Sequence, residues 1–198
     1  DTLLTQDDFL SRICADYQQH HFAVLGPQIL SKDQKVISLM EPIAPRAVYI
    51  VHRWLIQCQL VLCRFIPGFF DAVDAVKNCV SKLRKPKKQA PTAGESKLQL
   101  QKDIMLRGCF WIFSPDYVER FDGLDDRTFL YREEQLLFIR LKKNGLHTYY
   151  DPELKIIHLE DAATNAVAKT EFKKRVFTLQ NEVKSMKILI DALKDYQG

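Results

Sequence analysis

Glu133-Glu-Gln-Leu-Leu-Phe-Ile-Arg-Leu-Lys-Lys-Asn-Gly-Leu-His-Thr-Tyr-Tyr-Asp-Pro-Glu-Leu-Lys-Ile-Ile-His158 is the stretch that decides the fold. Its first half predicts a helix over 133–144. Two acids suit the positive end of a helix dipole, and Gly145 supplies a stop. His147 to Tyr150 and Leu154 to His158 then predict two short strands about Asp151-Pro152. The same mixture recurs upstream. Asp7 to Gln19 has helical spacing, with Phe9, Leu10, Ile13 and Tyr17 on one side. Phe22 to Leu25 predicts a buried strand stopped by Gly26-Pro27, and Ile29 to Leu39 a hairpin about Lys32-Asp33. Asp103 to Phe113 resembles a strand with Gly108 inside it, a sign that another backbone or a ligand comes close. Ser114 is the expected cap of a short helix from Pro115 to Arg120. Strands mixed with helices throughout indicate an α/β domain.

Two further helices are expected. One runs from about Asn165 to Tyr196. Its Phe172, Val176, Leu179, Val183, Met186, Ile190 and Leu193 form a heptad seam that docks on the domain or pairs two copies as a homodimer. The other covers 47–66. At 100° per residue, Ile50, Val51, Trp54, Leu55, Cys58, Val61, Leu62 and Phe65 share one face, opposite His52, Arg53, Gln57, Gln59 and Arg64. Pro67-Gly68 ends it. Such a face either packs on the protein's own core or lies in a membrane interface with Trp and Phe inward.

A basic run after this helix reads either as a solvated loop or as an anchor for anionic lipid, and the helix before it favours lipid. Net charge is only +4, but from Ala47 to Lys102 ten Lys or Arg stand against three Asp or Glu. The densest part is Lys82, Arg84, Lys85, Lys87 and Lys88. Each basic residue near an anionic lipid surface contributes about 1 kcal/mol. Trp54, Lys85, Lys87 and Lys88 are therefore the candidate membrane contacts. No aromatic interleaving or recognised motif points to nucleic acid.

The 198 residues are 46% apolar and 27% charged, enough for one domain with a sizeable core and unlike a disordered chain. No run is apolar enough to span a bilayer, and the opening residues do not read as a secretory signal. Five Cys with no C-x-x-C pair read as reduced thiols. There is no nucleophile elbow, phosphate-binding glycine loop, dinucleotide fingerprint or zinc spacing. Two constellations remain. Glu133 and Glu134 form a paired carboxylate at a loop-to-helix junction, fit for a general base. His158, near Glu160 and Asp161, is fit to ligate a divalent metal.

The order of pieces resembles the catalytic domain of family 2 glycosyltransferases, especially bacterial rhamnosyltransferase-like enzymes of surface polysaccharide synthesis. Asp1-Thr-Leu-Leu-Thr-Gln-Asp-Asp-Phe-Leu10 looks like the stretch that starts at the last Asp of the family's metal motif. Leu106-Arg-Gly-Cys-Phe-Trp-Ile-Phe-Ser114 is similar to the segment before the acceptor loop. Phe121-Asp-Gly-Leu-Asp-Asp-Arg-Thr-Phe-Leu-Tyr-Arg-Glu-Glu134 resembles the "GGFDE…FFLYGED" block, and Tyr150 to Asp161 continues the match. The resemblance covers most of 1–30 and 103–165. The sequence departs from the pattern in three places: Glu134 replaces the catalytic Asp, Arg132 a frequent Gly, and Leu136 a second acid.

The resemblance implies part of a GT-A fold, a nucleotide-binding α/β sheet with flanking helices. Residues 1–46 and 103–165 would form this core, 47–102 a helical basic insertion, and 166–198 the C-terminal helix. It implies an inverting hexosyltransferase that moves sugar from a nucleotide-sugar donor to a lipid-linked or polysaccharide acceptor. Glu134 would be the base, with Glu133 beside it. Asp1 and His158 would hold Mg2+ or Mn2+. Gly108, Asp122, Gly123 and Asp125 would shape the acceptor site. The expected location is cytoplasmic, peripheral on the inner face of the cell membrane. The half that precedes Asp1 in the family supplies the nucleotide pocket, so the 198 residues alone are expected to lack transfer activity. The alternative is a truncated, inactive, membrane-associated scaffold.

Overall fold

The computed structural model describes residues 2–37, 39–66, 68–83, 100–159 and 170–196. In chain order they form β1 (Thr2–Leu4), α1 (Phe9–His20), β2 (Val24–Ser31), α2 (Arg46–Phe65), α3 (Phe69–Leu83), β3 (Gln101–Lys102), β4 (Ile112–Phe113), α4 (Pro115–Val118), α5 (Glu133–Lys143), β5 (Thr148–His158) and α6 (Glu171–Ala192). A 3-10 turn at Leu193–Asp195 closes α6. Asp1, Lys85, Lys87 and Lys88 lie outside the described residues.

The chain is mixed α/β, as expected. Its sheet is mixed too. β5 runs parallel to β2 and antiparallel to β1 and β3, while β4 pairs antiparallel with β2. Side chains alternate across the sheet with the two-residue period of a strand. Leu25, Ile29 and Tyr149 join Phe9 of α1 in one cluster. Val24 and Tyr150 join Leu137 and Leu141 of α5 in another. α5 also turns Leu136 and Ile139 to a third cluster, with Tyr49 and Ile56 of α2 and Met186, Leu189 and Leu193 of α6. The helix that carries Glu133 and Glu134 is thus held on two sides.

Both proline breaks read from the sequence prove to be a single feature. β2 continues through Gly26-Pro27, and β5 continues through Asp151-Pro152. Pro27 faces Asp151 but Gln28 faces Lys155, so Pro152, Glu153 and Leu154 bulge from the ladder. Proline, lacking an N–H, is tolerated at such a bulge. Asp151 Oδ1 accepts the Glu153 N–H at 2.8 Å and fixes it.

Other expectations are corrected. Of the strand foreseen over 103–113 only β4, at its end, forms, and β3 precedes the foreseen stretch. Asp103 takes a left-handed φ of 59° while its N–H stays on the Thr148 carbonyl at 2.8 Å, and its carboxylate bonds His147 Nδ1 at 2.9 Å and Lys142 Nζ at 3.1 Å. Ser114 precedes α4, but its hydroxyl makes no cap bond. Leu10 is exposed. The hairpin survives as a tight turn, Gln34 N–H to Ser31 O and Ser31 N–H to Lys35 O. α3, which the sequence reading did not foresee, is pinned to the start of α6. Arg175 bonds Asp74 at 2.6 and 2.9 Å and stacks over Phe70 at 4.4 Å.

α2 sits the other way round from a core helix. Tyr49 and Ile56 are its buried residues, and Arg53, from the polar side, donates to the Val183 carbonyl of α6 at 3.3 Å. The apolar face from Ile50 to Phe65 points outward. The reading in which that face packs on the protein's own core is therefore overturned. On α6, seam residues Met186 and Leu193 are buried against α2 and α5, while Phe172 is exposed. Among the described residues no helix is long and apolar enough to cross a membrane.

One half-buried acid sets a pH dependence. Burial pushes the Asp16 carboxyl up to about 6, with the neighbouring Asp151 charge adding to it. A raised carboxyl favours the neutral form in the folded state. Its ionisation therefore costs stability above about pH 6, and the cost vanishes below the ordinary carboxylate range. Asp16→Asn is expected to stabilise the fold at pH 7.5 by about 1 kcal/mol after allowance for solvent screening. The gain should fade between pH 6 and pH 4 in urea titrations. A gain independent of pH would contradict this.

Candidate active site at the start of α5

α5 begins from a strained turn. Tyr131 and Arg132 both take left-handed φ, 72° and 75°. Non-glycine residues there cost of order 1–3 kcal/mol each and persist only when their surroundings enforce them. Arg132 is the position where the resembled family often has Gly, which adopts this geometry freely.

α6 provides the enforcement. Ser185 Oγ donates to the Leu130 carbonyl at 2.6 Å. Tyr131 Oη donates to Thr178 Oγ1 at 3.3 Å. Arg132 Nη2 bonds Glu182 Oε1 at 2.6 Å, both side chains being about four-fifths buried. Thr178, Glu182 and Ser185 are spaced by four and three residues, so they share one helix face. They clamp three consecutive residues just before Glu133. Reading α6 only for its apolar seam passes over them. The available signal was a polar stripe at helical spacing beside that seam. Glu182→Gln keeps the shape but removes a charge-assisted bond. It is expected to cost about 2 kcal/mol in urea unfolding. An unchanged midpoint would contradict the clamp.

Two of the predicted site residues meet. Glu134 Oε1 accepts the Gly108 N–H at 3.3 Å. A Cβ on Gly108 would lie 2.8 Å from that oxygen. The close approach expected at this glycine is real, and its partner is the Glu134 carboxylate. Beside Glu134, burial pushes the Glu133 carboxyl above the usual range, and the Glu134 charge adds to this.

A cavity of about 440 Å³ lies near this turn, though Gly108, Glu133 and Glu134 are not among its lining residues. Arg107, which precedes Gly108, lines it, as do Arg132, Gln135 and Tyr49. Gln135 is 5% exposed, and its Oε1 has no hydrogen-bond partner among the described residues. Arg132 Nε is also buried without one. Both atoms are closed to solvent, so a ligand in the cavity reaches them only after the side chains turn.

The remaining predicted residues lie elsewhere. Gly123 O accepts from Tyr117 Oη at 3.0 Å and from Arg140 Nη1 at 2.7 Å. Asp125 is held below the usual carboxylate range by hydrogen bonds from Arg127, against the opposing effect of burial. Asp122 is exposed. The loop carrying these three is tied to Arg140, six residues and so about 9 Å along α5 from Glu134. His158 ends β5, paired with Thr2 on one side and Ser31 on the other. Thr2 directly follows Asp1 in the chain. Among the described residues no three His, Cys, Asp or Glu side chains gather as a metal site. Trp54 stands on the exposed face of α2. No family model matches the chain, and no curated protein or solved structure matches it either.

Proposed function

We propose that the chain is the acceptor-side part of an inverting glycosyltransferase of GT-A type, acting on a nucleotide-sugar donor and a lipid-linked or polysaccharide acceptor. The observation that carries this is the Glu134 carboxylate, set against the Gly108 amide in a turn whose neighbours Arg107, Arg132 and Gln135 line a cavity. Glu134 takes the proton of the acceptor hydroxyl. The oxygen attacks the anomeric carbon from the face opposite the leaving group. The bond from that carbon to the diphosphate breaks, and the nucleoside diphosphate departs with the electron pair. Gln135 and Arg132 orient the acceptor sugar through its hydroxyls. Glu133, raised by burial, stands as a second carboxyl beside the base.

Asp1 and His158 would hold a divalent cation, Mg2+ or Mn2+. Thr2, the residue after Asp1, pairs with His158 across β1 and β5, and Asp1 itself lies outside the described residues. When bound, the cation neutralises charge on the departing diphosphate.

The test is sugar transfer by the longest native form of the protein carrying this chain, with uridine and thymidine diphosphosugars and Mg2+ or Mn2+. Turnover that EDTA abolishes is expected. Full turnover in EDTA, or donor hydrolysis and transfer both absent with every donor, would overturn the reading.

A further inference from the structure

We propose that the outward face of α2 docks on an anionic lipid bilayer, with the helix lying flat in the headgroup interface. The inference stands apart from the transferase reading, because it rests on a different surface. Six large apolar side chains, Val51, Trp54, Leu55, Val61, Leu62 and Phe65, share this face and are 41–77% exposed. A helix of a water-soluble surface carries its apolar stripe inward. Here the inward stripe belongs to Tyr49 and Ile56, and a second, broader one faces out. An exposed patch of this kind marks an interaction surface.

Charge selects the occupant. α2 contains three Arg and no Asp or Glu; Arg46 and Arg53 bond carbonyls of α6, and Arg64 stands exposed at the helix end. Ten basic residues against three acidic ones between Ala47 and Lys102 leave a surplus of +7, while the chain as a whole carries +4. Two copies meeting on α2 would bring two such segments together. An anionic bilayer instead neutralises them and takes up the apolar face in the same step. Trp and Phe suit the apolar side of the interface, and Arg64, near the helix end, reaches back to the headgroups. With no membrane-crossing helix among the described residues, the contact is peripheral.

The experiment is flotation of the full chain with vesicles of phosphatidylcholine containing 30 mol% phosphatidylglycerol, a composition of our choosing, against phosphatidylcholine alone. Flotation with the anionic vesicles, weakened by salt, is expected. Trp54→Glu with Phe65→Glu should lower the bound fraction by about tenfold or more. Both positions are exposed, so folding is preserved, and circular dichroism and the urea midpoint verify that. Absence of flotation, or flotation unchanged by the α2 pair, overturns the proposal. So does a stable dimer in vesicle-free solution that the α2 pair dissociates, since a second copy would then cover the face.

Discussion

Glu134→Gln is expected to lower sugar transfer by about 10²–10⁴-fold, the range for loss of a general base. The amide is isosteric with the carboxylate. Its oxygen still accepts the Gly108 N–H, so the turn and the urea midpoint should stay where they are. What it cannot do is take a proton. The loss should fall on kcat, with the KM for the donor nearly unchanged, since Glu134 is assigned to the acceptor and not to the nucleotide. Glu134→Asp keeps the acid but withdraws it by one methylene, so activity between the two extremes is expected. Equal transfer by wild type and Glu134→Gln would leave the residue as a mere brace for Gly108.

Gly108→Ala is the second large effect, and its two readouts should part company. The added methyl would sit 2.8 Å from Glu134 Oε1 and 3.3 Å from its Cδ. Something must give, and the free end of a flexible side chain gives most easily. The fold should therefore lose no more than about 0.5 kcal/mol, as for a substitution clear of the core. The carboxylate, however, is pushed by roughly an ångström from its place against the Gly108 amide. Misplacement of that size costs about 10²-fold in rate. A variant with normal stability and normal transfer would show that the Gly108–Glu134 contact has no part in the chemistry. A variant that unfolds would show that the contact is structural.

What the sequence disclosed follows the range of the interactions. α5 was legible because its signals are local: paired acids at the start, Gly145 at the end, and an apolar stripe between. The alternating residues of β5 were legible for the same reason. Its continuity was not, because Pro152 reads as a break until Pro27 is known to face the same bulge. Asp103 reads as a strand residue, yet it turns left-handed just past β3, where its carboxylate meets His147 and Lys142, some forty residues away. Gly108 was marked as a site of close approach, but nothing local says that Glu134 is what approaches. The clamp from Thr178, Glu182 and Ser185 is likewise invisible until α6 is laid beside α5. α2 failed differently. Its apolar face was read correctly, and which way it faces depends on what else is available to cover the core. Tyr49 and Ile56, from the other side, already do so.

The most direct measurement is a crystal structure of the native protein with Mn2+, a nucleoside diphosphate and an acceptor sugar bound together. The account predicts an acceptor hydroxyl 2.6–3.2 Å from the Glu134 carboxylate, roughly the reach of proton transfer, with a second hydroxyl donating to Gln135 Oε1. An acceptor seated away from α5, with Glu134 still turned only to the Gly108 amide and Gln135 left untouched, would contradict it.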